Sequence, residues 1–175
     1  MMDRLLPAAP GTLVYYRLDS PSGGVSALPP GYALDLFEPT ATRLYDGDDP
    51  AAPPLAMYLF WRVVSRGGYR IAYVRKGGAI VHTTHILGPS LRFPFMARGD
   101  LHIGPCHTIA DERGQGLFPA TLAAVAARYP GRRLWMLVDA TNSASRRGME
   151  KAGSTAVGEG RKRYGRYIIE RGYPA

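Results

Sequence analysis

The stretch from residue 108 to residue 118 decides the fold of this chain, and it is Thr108-Ile109-Ala110-Asp111-Glu112-Arg113-Gly114-Gln115-Gly116-Leu117-Phe118. An alternating run from Leu101 to Ile109 predicts a strand before it, and an apolar run from Leu117 to Tyr129 predicts a helix after it. The first N–H groups of a helix have no intrahelical partner, and the helix dipole adds partial positive charge there. A strand that enters a helix through glycines therefore indicates an anion site.

The composition of this loop favours a phosphate or pyrophosphate as the anion. Gly114 and Gly116 lack a Cβ, so the backbone can approach a ligand closely and adopt positive φ. Arg113 adds a planar guanidinium that suits phosphate. The loop has no Lys-Ser or Lys-Thr after its glycines and lacks the G-x-G-x-x-G spacing, so it matches neither common nucleotide motif. An ordinary strand-to-helix turn is the alternative interpretation.

A second block follows the helix and makes the pattern more specific. Leu134–Val138 predicts a buried strand, and Ser143–Ala152 predicts a short helix. The two blocks together resemble the signature of the GNAT acetyltransferase superfamily. The loop corresponds to its R/Q-x-x-G-x-G/A motif through Arg113, Gly116 and Phe118. Its N-x-x-A/S-x-x-x-Y-x-K-x-G-F block corresponds to Asn142, Ser145, Met149, Lys151, Gly153 and Ser154.

Three residues depart from the family pattern. Phe118 replaces a small residue one step into the helix, so it is expected to change only the packing of that helix. Met149 stands where many members carry a tyrosine that acts as general acid, which leaves that role vacant or filled elsewhere. Ser154 replaces an aromatic residue of the core.

The resemblance implies an α/β (α+β) fold with a mixed, mostly antiparallel central sheet flanked by helices. In this fold two parallel strands splay apart at the coenzyme A site. Residues 1–175 are expected to form a single domain of this kind, with the cofactor-binding part at about 100–155. Pro105 removes a ladder hydrogen bond and marks an edge or a bulge in its strand, which suits such a splay.

Periodicity and turn residues predict the remaining elements. The expected strands lie at residues 12–18, 32–37, 69–75, 79–86, 156–163 and 166–171. One helix is expected at residues 55–66 and a helical turn at 42–45, while residues 19–31 are expected to form a loop.

The resemblance implies an N-acyltransferase that moves an acetyl or other short acyl group from acyl-CoA to a small primary amine, by direct attack in a ternary complex. Acetyl-CoA would be the co-substrate, and no metal would be needed. An amide near Thr108 or Ile109 would bond the thioester oxygen, and Asn142 would bond the pantetheine arm or cap its helix. The residues assigned to the cofactor are Thr108, Ile109, Arg113, Gly114, Gln115, Gly116, Leu117, Phe118, Asn142 and Ser145.

Histidine is the expected general base because it titrates near neutral pH. His102 is the first choice, since several family members carry a base at the matching position, and His85 on the neighbouring strand is the second. Alternation places His102 on the same strand face as Cys106 and Thr108, unless the bulge resets it. A histidine that only packs, or an ordered water acting as the base, is the alternative.

The general acid has three candidates, because position 149 lacks the family tyrosine. Ser145 has the best position, although it could instead cap its helix; Cys106 and Tyr164 are the others. A nucleophilic role for Cys106 would need a fixed positive neighbour, and the sequence provides none. We therefore take Ser145 as the expected acid.

Composition limits the class of protein. The chain has 175 residues, one cysteine and a formal net charge of +8. A single cysteine excludes an intrachain disulfide and a cysteine-rich zinc site. Residues 1–7 lack the apolar core of a signal peptide, and no run approaches a membrane span, so a cytoplasmic protein without membrane partners is expected.

The positive charge favours anionic partners such as coenzyme A, a nucleotide-linked sugar or nucleic acid. The second block looks most like GNAT proteins of cell-surface sugar assembly, which favours an amino sugar nucleotide as acceptor. A non-catalytic acyl-CoA-binding module is the second class of function. A nucleic-acid-binding protein is the third, although the aromatic and basic interleaving of such modules is missing. The fold often dimerises, so a homodimer is an open option.

Overall fold

The computed structural model describes residues 11–19, 27–46, 48–66 and 68–174. Residues 1–7, on which the signal-peptide prediction depends, lie outside these ranges, and so do residues 20–26 of the predicted loop. None of the described helices is long and apolar enough to cross a membrane.

Eight strands and three α-helices follow one another along the described chain. They are β1 (Leu13–Leu18), β2 (Tyr32–Phe37), α1 (Leu55–Val64), β3 (Arg70–Lys76), β4 (Ala79–Leu87), β5 (Leu101–Thr108), α2 (Leu117–Arg128), β6 (Leu134–Asp139), α3 (Ser143–Lys151), β7 (Thr155–Arg163) and β8 (Arg166–Gly172). A single 3₁₀ turn, Ala110–Glu112, separates β5 from the glycine loop.

The helical turn predicted at residues 42–45 does not form. Thr40 and Arg43 close a tight turn there instead: the Thr40 N–H donates to the Arg43 carbonyl at 2.8 Å, and the Arg43 N–H donates to Thr40 Oγ1 at 3.0 Å. Threonine side chains often compete in this way with helical backbone bonds.

The strands form one sheet in the order β2-β3-β4-β5-β6-β1-β7-β8. Every neighbouring pair is antiparallel except β5 and β6, which are parallel. The predicted fold class, a mixed and mostly antiparallel sheet flanked by helices, is confirmed. β1 lies between β6 and β7, so the first described strand is an interior strand of the sheet.

Helices cover both faces of the sheet. α2 and α3 pack on one face, here called the α2 face, around Ile86, Ile103, Leu122, Val125, Met136 and Met149. The alanines of α2 keep its buried side thin, and Pro119 lies in its first turn, where a missing N–H loses no helical bond. α1 packs on the opposite face, the α1 face, through Tyr58 and Trp61.

β5 carries the bulge that Pro105 predicted. Thr84 of β4 pairs with Cys106 and Ile86 pairs with Ile103, so two residues of β5 stand opposite one residue of β4. The extra residue lies at Gly104–Pro105, which are joined by a cis peptide bond, and Gly104 has a φ of 135°.

The bulge resets the alternation of side chains along β5. Residues that pair directly across two strands share a face, so Cys106 and Thr108 lie on the α2 face with Ile103. His102 pairs with Leu87 and lies on the α1 face. The shared face of His102, Cys106 and Thr108 was expected only without such a reset, and the bulge places His102 on the other face.

β5 and β6 separate soon after they meet. They pair only at Leu101 with Leu134 and at His102 with Trp135, although β5 continues to Thr108 and β6 to Asp139. A wedge-shaped gap in the sheet, here called the splay, therefore opens beyond the bulge.

Candidate active site

The glycine loop presents a row of free backbone donors at the start of α2. Gly116 is the N-cap, with a φ of 74°, and Gly114 has a φ of 80°. Within the described parts of the chain, the N–H groups of residues 114–118 meet no acceptor. A Cβ built on Gly114 or Gly116 would point into open space. The loop therefore suits an anion approaching from solvent.

Hydrogen bonds of the loop residues Arg113 and Glu112 hold this loop on the sheet. Arg113 is exposed and donates through Nε to the Thr108 carbonyl at 3.2 Å, which ties the loop to the end of β5. Lys76 donates to Glu112 Oε1 at 2.7 Å, and the Tyr32 hydroxyl donates to Glu112 Oε2. The bond from Lys76, followed by that from Tyr32, lowers the pKa of Glu112. The carboxylate beside the anion loop is thus paired with a cation.

The last backbone amide of β5 faces the splay. The Ile109 N–H donates to the Val81 carbonyl of β4 at 3.1 Å, so it is not free for a ligand. Successive N–H groups of a strand point in opposite directions, so the Thr108 N–H points away from β4, towards the splay. Of the two predicted donors for a thioester oxygen, the structure leaves Thr108.

A buried histidine that the sequence analysis did not assign orients Thr108. His82 Nδ1 lies 2.7 Å from Thr108 Oγ1, and His82 Nε2 lies 2.8 Å from Thr84 Oγ1. Burial, followed by the charge of His107, lowers the pKa of His82 to about 4. The ring is therefore neutral, with one nitrogen donating and the other accepting. Only the pairing of β4 with β5 reveals this contact.

A cavity of about 370 Å³ opens on the α1 face, opposite the glycine loop. Gly104 and Pro105 of β5 and Leu137 of β6 line it, so the cavity reaches both strands of the splay. The other walls come from α1, from the loop of residues 88–99 and from Tyr167 of β8. Two ligands could thus meet at the splay from opposite faces of the sheet.

His102 lies in the wall of this cavity. Its ring stacks on Phe93 at 4.2 Å, and a Cβ built on Gly104 would lie 3.6 Å from His102 Cε1. Nδ1, bonded to that carbon, is buried and has no partner among the described residues. Burial, then the charge of Arg92, lowers the pKa of His102 to about 3. A neutral ring with a free nitrogen accepts hydrogen bonds well but is a weak base.

His85, the second candidate base, lies elsewhere on the α1 face. Its Nδ1 lies 2.6 Å from the Tyr69 hydroxyl, and its ring packs against Tyr58, Trp61 and Tyr69. Burial lowers the pKa of His85 to about 4. His85 does not line the cavity, and its contacts are those of a core residue.

Asn142 and Ser145 form the N-terminal cap of α3. The Ser145 N–H donates to Asn142 Oδ1 at 3.0 Å, which satisfies a free donor of the helix. The hydroxyl of Ser145 is not needed for this cap, and the residue is half-buried. The side-chain amide of Asn142 keeps its N–H₂ group for a ligand.

The three residues that depart from the family pattern are buried or half-buried and make packing contacts. Met149 is buried in the core of the α2 face. Ser154 is buried and lies 3.9 Å from the sulfur of Met136. Phe118 packs on α3, because a Cβ at Gly148 would lie 3.4 Å from its ring. The prediction that Phe118 changes the helix packing fits this contact.

The two remaining acid candidates differ in their surroundings. Cys106 is exposed by surface area, and Thr84 bonds its thiol, but loss of hydration raises the pKa of that thiol to about 11. A thiolate is therefore scarce at neutral pH. Tyr164 is fully exposed in the turn between β7 and β8.

Two cavity residues were missed by the sequence analysis, Ser65 and Arg92. Ser65 follows α1, and its buried Oγ has no partner among the described residues. Arg92 lies in the loop of residues 88–99, which has no periodicity that would indicate a site. Two phenylalanines in that loop were the available signal, because Phe93 lines the same cavity.

No family model matches the chain, and no curated protein matches it either. Its structure is similar to a GCN5-related N-acetyltransferase from Sphaerobacter thermophilus, with a TM-score of 0.57 and 21% identity over 85% of this chain and 49% of the other. It is also similar to an acetyltransferase of the GNAT family from Colwellia psychrerythraea, with a TM-score of 0.57 and 14% identity over 83% of this chain and 52% of the other. The chain has the GNAT fold.

Not every structure with this fold has an assigned function. A functionally unknown conserved protein from Staphylococcus epidermidis gives a TM-score of 0.55 and 13% identity over 85% of this chain and 59% of the other. The chain spans about half the length of these structures. At such identities the likeness establishes the GNAT fold and leaves the activity to the site itself.

Proposed function

We propose that this chain is an N-acyltransferase that moves an acetyl or other short acyl group from acyl-CoA to a primary amine. One observation carries the proposal. The free amides of residues 114–118 lie at the start of α2, and β5, which leads into them, separates from β6 beside them. An anion cradle next to a gap between parallel strands suits a long phosphorylated thioester.

The residues of the α2 face would bind acyl-CoA. The amides from Gln115 to Phe118 would hold the pyrophosphate, and Arg113 is exposed beside them. The N–H₂ group of Asn142 would bond the pantetheine arm. The Thr108 N–H would face the thioester oxygen and stabilise the negative charge that develops there.

The reaction would be direct attack in a ternary complex. The amine nitrogen bonds to the thioester carbon, the carbon–sulfur bond breaks, and the sulfur leaves as a thiolate that takes up a proton. The amine gives up one proton in exchange. Positioning of the two substrates supplies much of the rate in such a reaction.

His102 and Ser145 have distinct roles in this proposal. A neutral His102 accepts an N–H of the amine at Nδ1 and orients its lone pair towards the splay. Because its pKa is lowered, His102 is a weak base, and water would take up the proton that the amine loses. Ser145 is the proposed donor to the leaving sulfur, because its hydroxyl is free of the helix cap.

A non-catalytic acyl-CoA-binding module is the second candidate. The observation in its favour is Met149, which is buried in the core. Many family members carry, at the matching position, a tyrosine that acts as general acid. The two functions differ in turnover, since a binding module would release no free coenzyme A.

Thiol release from acetyl-CoA tests the proposal. We expect a primary amine to raise the rate of thiol release, and His102→Ala to lower that rate at unchanged acetyl-CoA affinity. Binding of acetyl-CoA with no thiol release across a broad panel of amines would favour the binding module.

Other features from the sequence belong to the same proposal. Residues 1–175 would form one acyltransferase domain, with the cofactor held by about 100–155. Cytoplasmic location, a homodimer and an amino sugar nucleotide as acceptor stay predictions.

A further inference from the structure

We propose that the acceptor is an apolar primary amine that carries its own carboxylate, as an apolar amino acid does. The inference rests on the proposed acyl transfer, and it names the class of amine that the cavity on the α1 face would take. Three features of that cavity carry it: an apolar wall, two buried polar atoms without partners, and one unpaired cation.

The cavity is apolar over most of its wall. Met57 and Trp61 of α1, Leu87 of β4 and Phe93 enclose it, and its volume of about 370 Å³ falls in the range of small-ligand pockets. A sugar would place several hydroxyls against these side chains. Hydroxyls buried without hydrogen bonds are unfavourable, so the wall favours an aliphatic or aromatic group over an amino sugar.

Two residues in the wall each carry a buried polar atom that lacks a partner among the described residues. These atoms are His102 Nδ1 and Ser65 Oγ, and the residues are only 9% and 6% exposed. Buried polar atoms are hydrogen-bonded in most native structures, so two unpaired atoms on residues that line one cavity indicate a ligand with matching groups. A primary amine has an N–H to donate to His102, while Ser65 can donate or accept.

Arg92 is the only charged side chain among the described residues that line the cavity. Its guanidinium lies between the rings of Phe60 and Tyr167, at 5.4 and 5.5 Å from their centroids, and Nη2 lies 3.5 Å from the Tyr167 hydroxyl. No carboxylate in the described chain pairs with it. A cation held by two rings without a counter-ion is suited to an anionic ligand group.

The charge of Arg92 discriminates between kinds of amine. A simple alkylammonium ion would bring a second positive charge into a partly buried site without a carboxylate to pair with it. An amino acid brings a carboxylate for Arg92 and an amine for His102. It also brings an apolar side chain for the wall formed by Met57 and Trp61.

A phosphate is the other source of negative charge. A shallow groove adjoins the cavity, shares Met57 and Arg92 with it, and adds Lys162 and Arg166. A nucleotide-linked amine would place its phosphates in this groove. The apolar wall favours the carboxylate, and the experiment includes both sources.

Equilibrium binding without coenzyme A tests the inference, with quenching of Trp61 fluorescence or NMR line broadening as the readout. The probes are L-phenylalanine, 2-phenylethylamine, which lacks only the carboxylate, and UDP-glucosamine. We expect phenylalanine to bind at least about 10-fold more tightly than 2-phenylethylamine, in line with one charge-assisted bond. Equal binding of these two probes, or tighter binding of UDP-glucosamine, would overturn the inference.

Two variants assign the effect to Arg92. Arg92→Gln should remove the preference for phenylalanine over 2-phenylethylamine. Arg132→Gln is the matched control, because Arg132 also lies over a ring, that of Tyr129, and does not line the cavity. A preference that survives Arg92→Gln would contradict the assigned contact.

The outcome can be separated from the fate of the proposed function. Arg92 lies on the opposite face from the glycine loop, so Arg92→Gln should leave acetyl-CoA affinity unchanged. If the wild-type chain bound phenylalanine as expected but not acetyl-CoA, the proposed acyl transfer would be contradicted and the proposed carboxylate site would be supported. If acetyl-CoA bound and phenylalanine did not, only the acceptor class would be wrong.

Discussion

His82, His85 and His102 place three neutral imidazole rings inside the protein. Burial is the main cause of the lowered pKa of each, to about 4, 4 and 3. In the unfolded chain these rings take up protons below pH 6.5, the ordinary value for histidine. Between these pH values the unfolded state therefore binds more protons than the native state, and stability is lost as the pH falls.

We predict that the free energy of unfolding falls by about 2 kcal/mol for each buried histidine between pH 7 and pH 5. Urea titrations across this range measure it. His102→Gln should remove about one third of the histidine contribution. A pH dependence identical in this variant and the wild-type chain would contradict the burial of His102.

Individual site residues could be predicted only in part. His102 follows from its place before the glycine loop, but its face does not, because the bulge at Gly104–Pro105 adds one residue to the strand. Arg92 could not be found, since its importance depends on two rings from α1 and β8 that meet it only in the folded chain.

At the scale of elements, α3 depends on its cap. Asn142 Oδ1 accepts the Ser145 N–H, whereas the Ser145 hydroxyl has no part in that bond. We predict that Asn142→Ala destabilises the protein by about 1 kcal/mol, the usual loss for an N-cap. Ser145→Ala should leave the unfolding free energy within about 0.5 kcal/mol. Urea denaturation of the two variants measures both values.

Activity separates the second role proposed for Ser145. If its hydroxyl protonates the leaving sulfur, Ser145→Ala lowers the rate of thiol release although the protein is as stable as the wild type. An unchanged rate of thiol release would contradict a role of Ser145 as general acid.

Most elements could be predicted closely from periodicity. β2 has the predicted bounds, and α2 ends one residue early at Arg128. Such runs alternate or repeat because one face is buried. The helical turn predicted at residues 42–45 does not form, because Thr40 and Arg43 bond each other in a tight turn instead.

At the scale of the whole molecule, β8 connects the edge of the sheet to the cavity on the α1 face. Tyr167 of β8 stacks on Phe93 at 5.2 Å, and Phe93 stacks on His102. β7 and β8 form a hairpin that pairs tightly at Gly160, where a Cβ would lie 1.9 Å from the Ile168 carbonyl oxygen. A side chain at that position must displace β8.

We predict that Gly160→Ala lowers the unfolding free energy by about 2 kcal/mol and weakens phenylalanine binding while acetyl-CoA affinity is kept. Gly172→Ala is the control, since its Cβ would meet only the Val157 carbonyl oxygen at 4.0 Å. Equal effects of the two variants, measured by denaturation and by fluorescence, would contradict this link between the hairpin and the cavity.

The order of the sheet shows what could not be predicted at this scale. The splay follows from the resemblance and from Pro105, and the structure has it. The place of β1 between β6 and β7 does not follow, because no pattern within Leu13–Leu18 identifies which strands it will pair with.

Calorimetric titration of acetyl-CoA tests the central claim most directly, with ATP as the competing phosphate ligand. We predict binding of acetyl-CoA well above that of ATP, reduced at least about 100-fold by Gly116→Glu, which adds a carboxylate and bulk to the anion cradle. Gly131→Glu is the matched control, because Gly131 has a φ of 75° close to the 74° of Gly116 and lies at the other end of α2. Equal acetyl-CoA affinity in the two variants, or no binding by the wild-type chain, would contradict acyl-CoA recognition by the glycine loop.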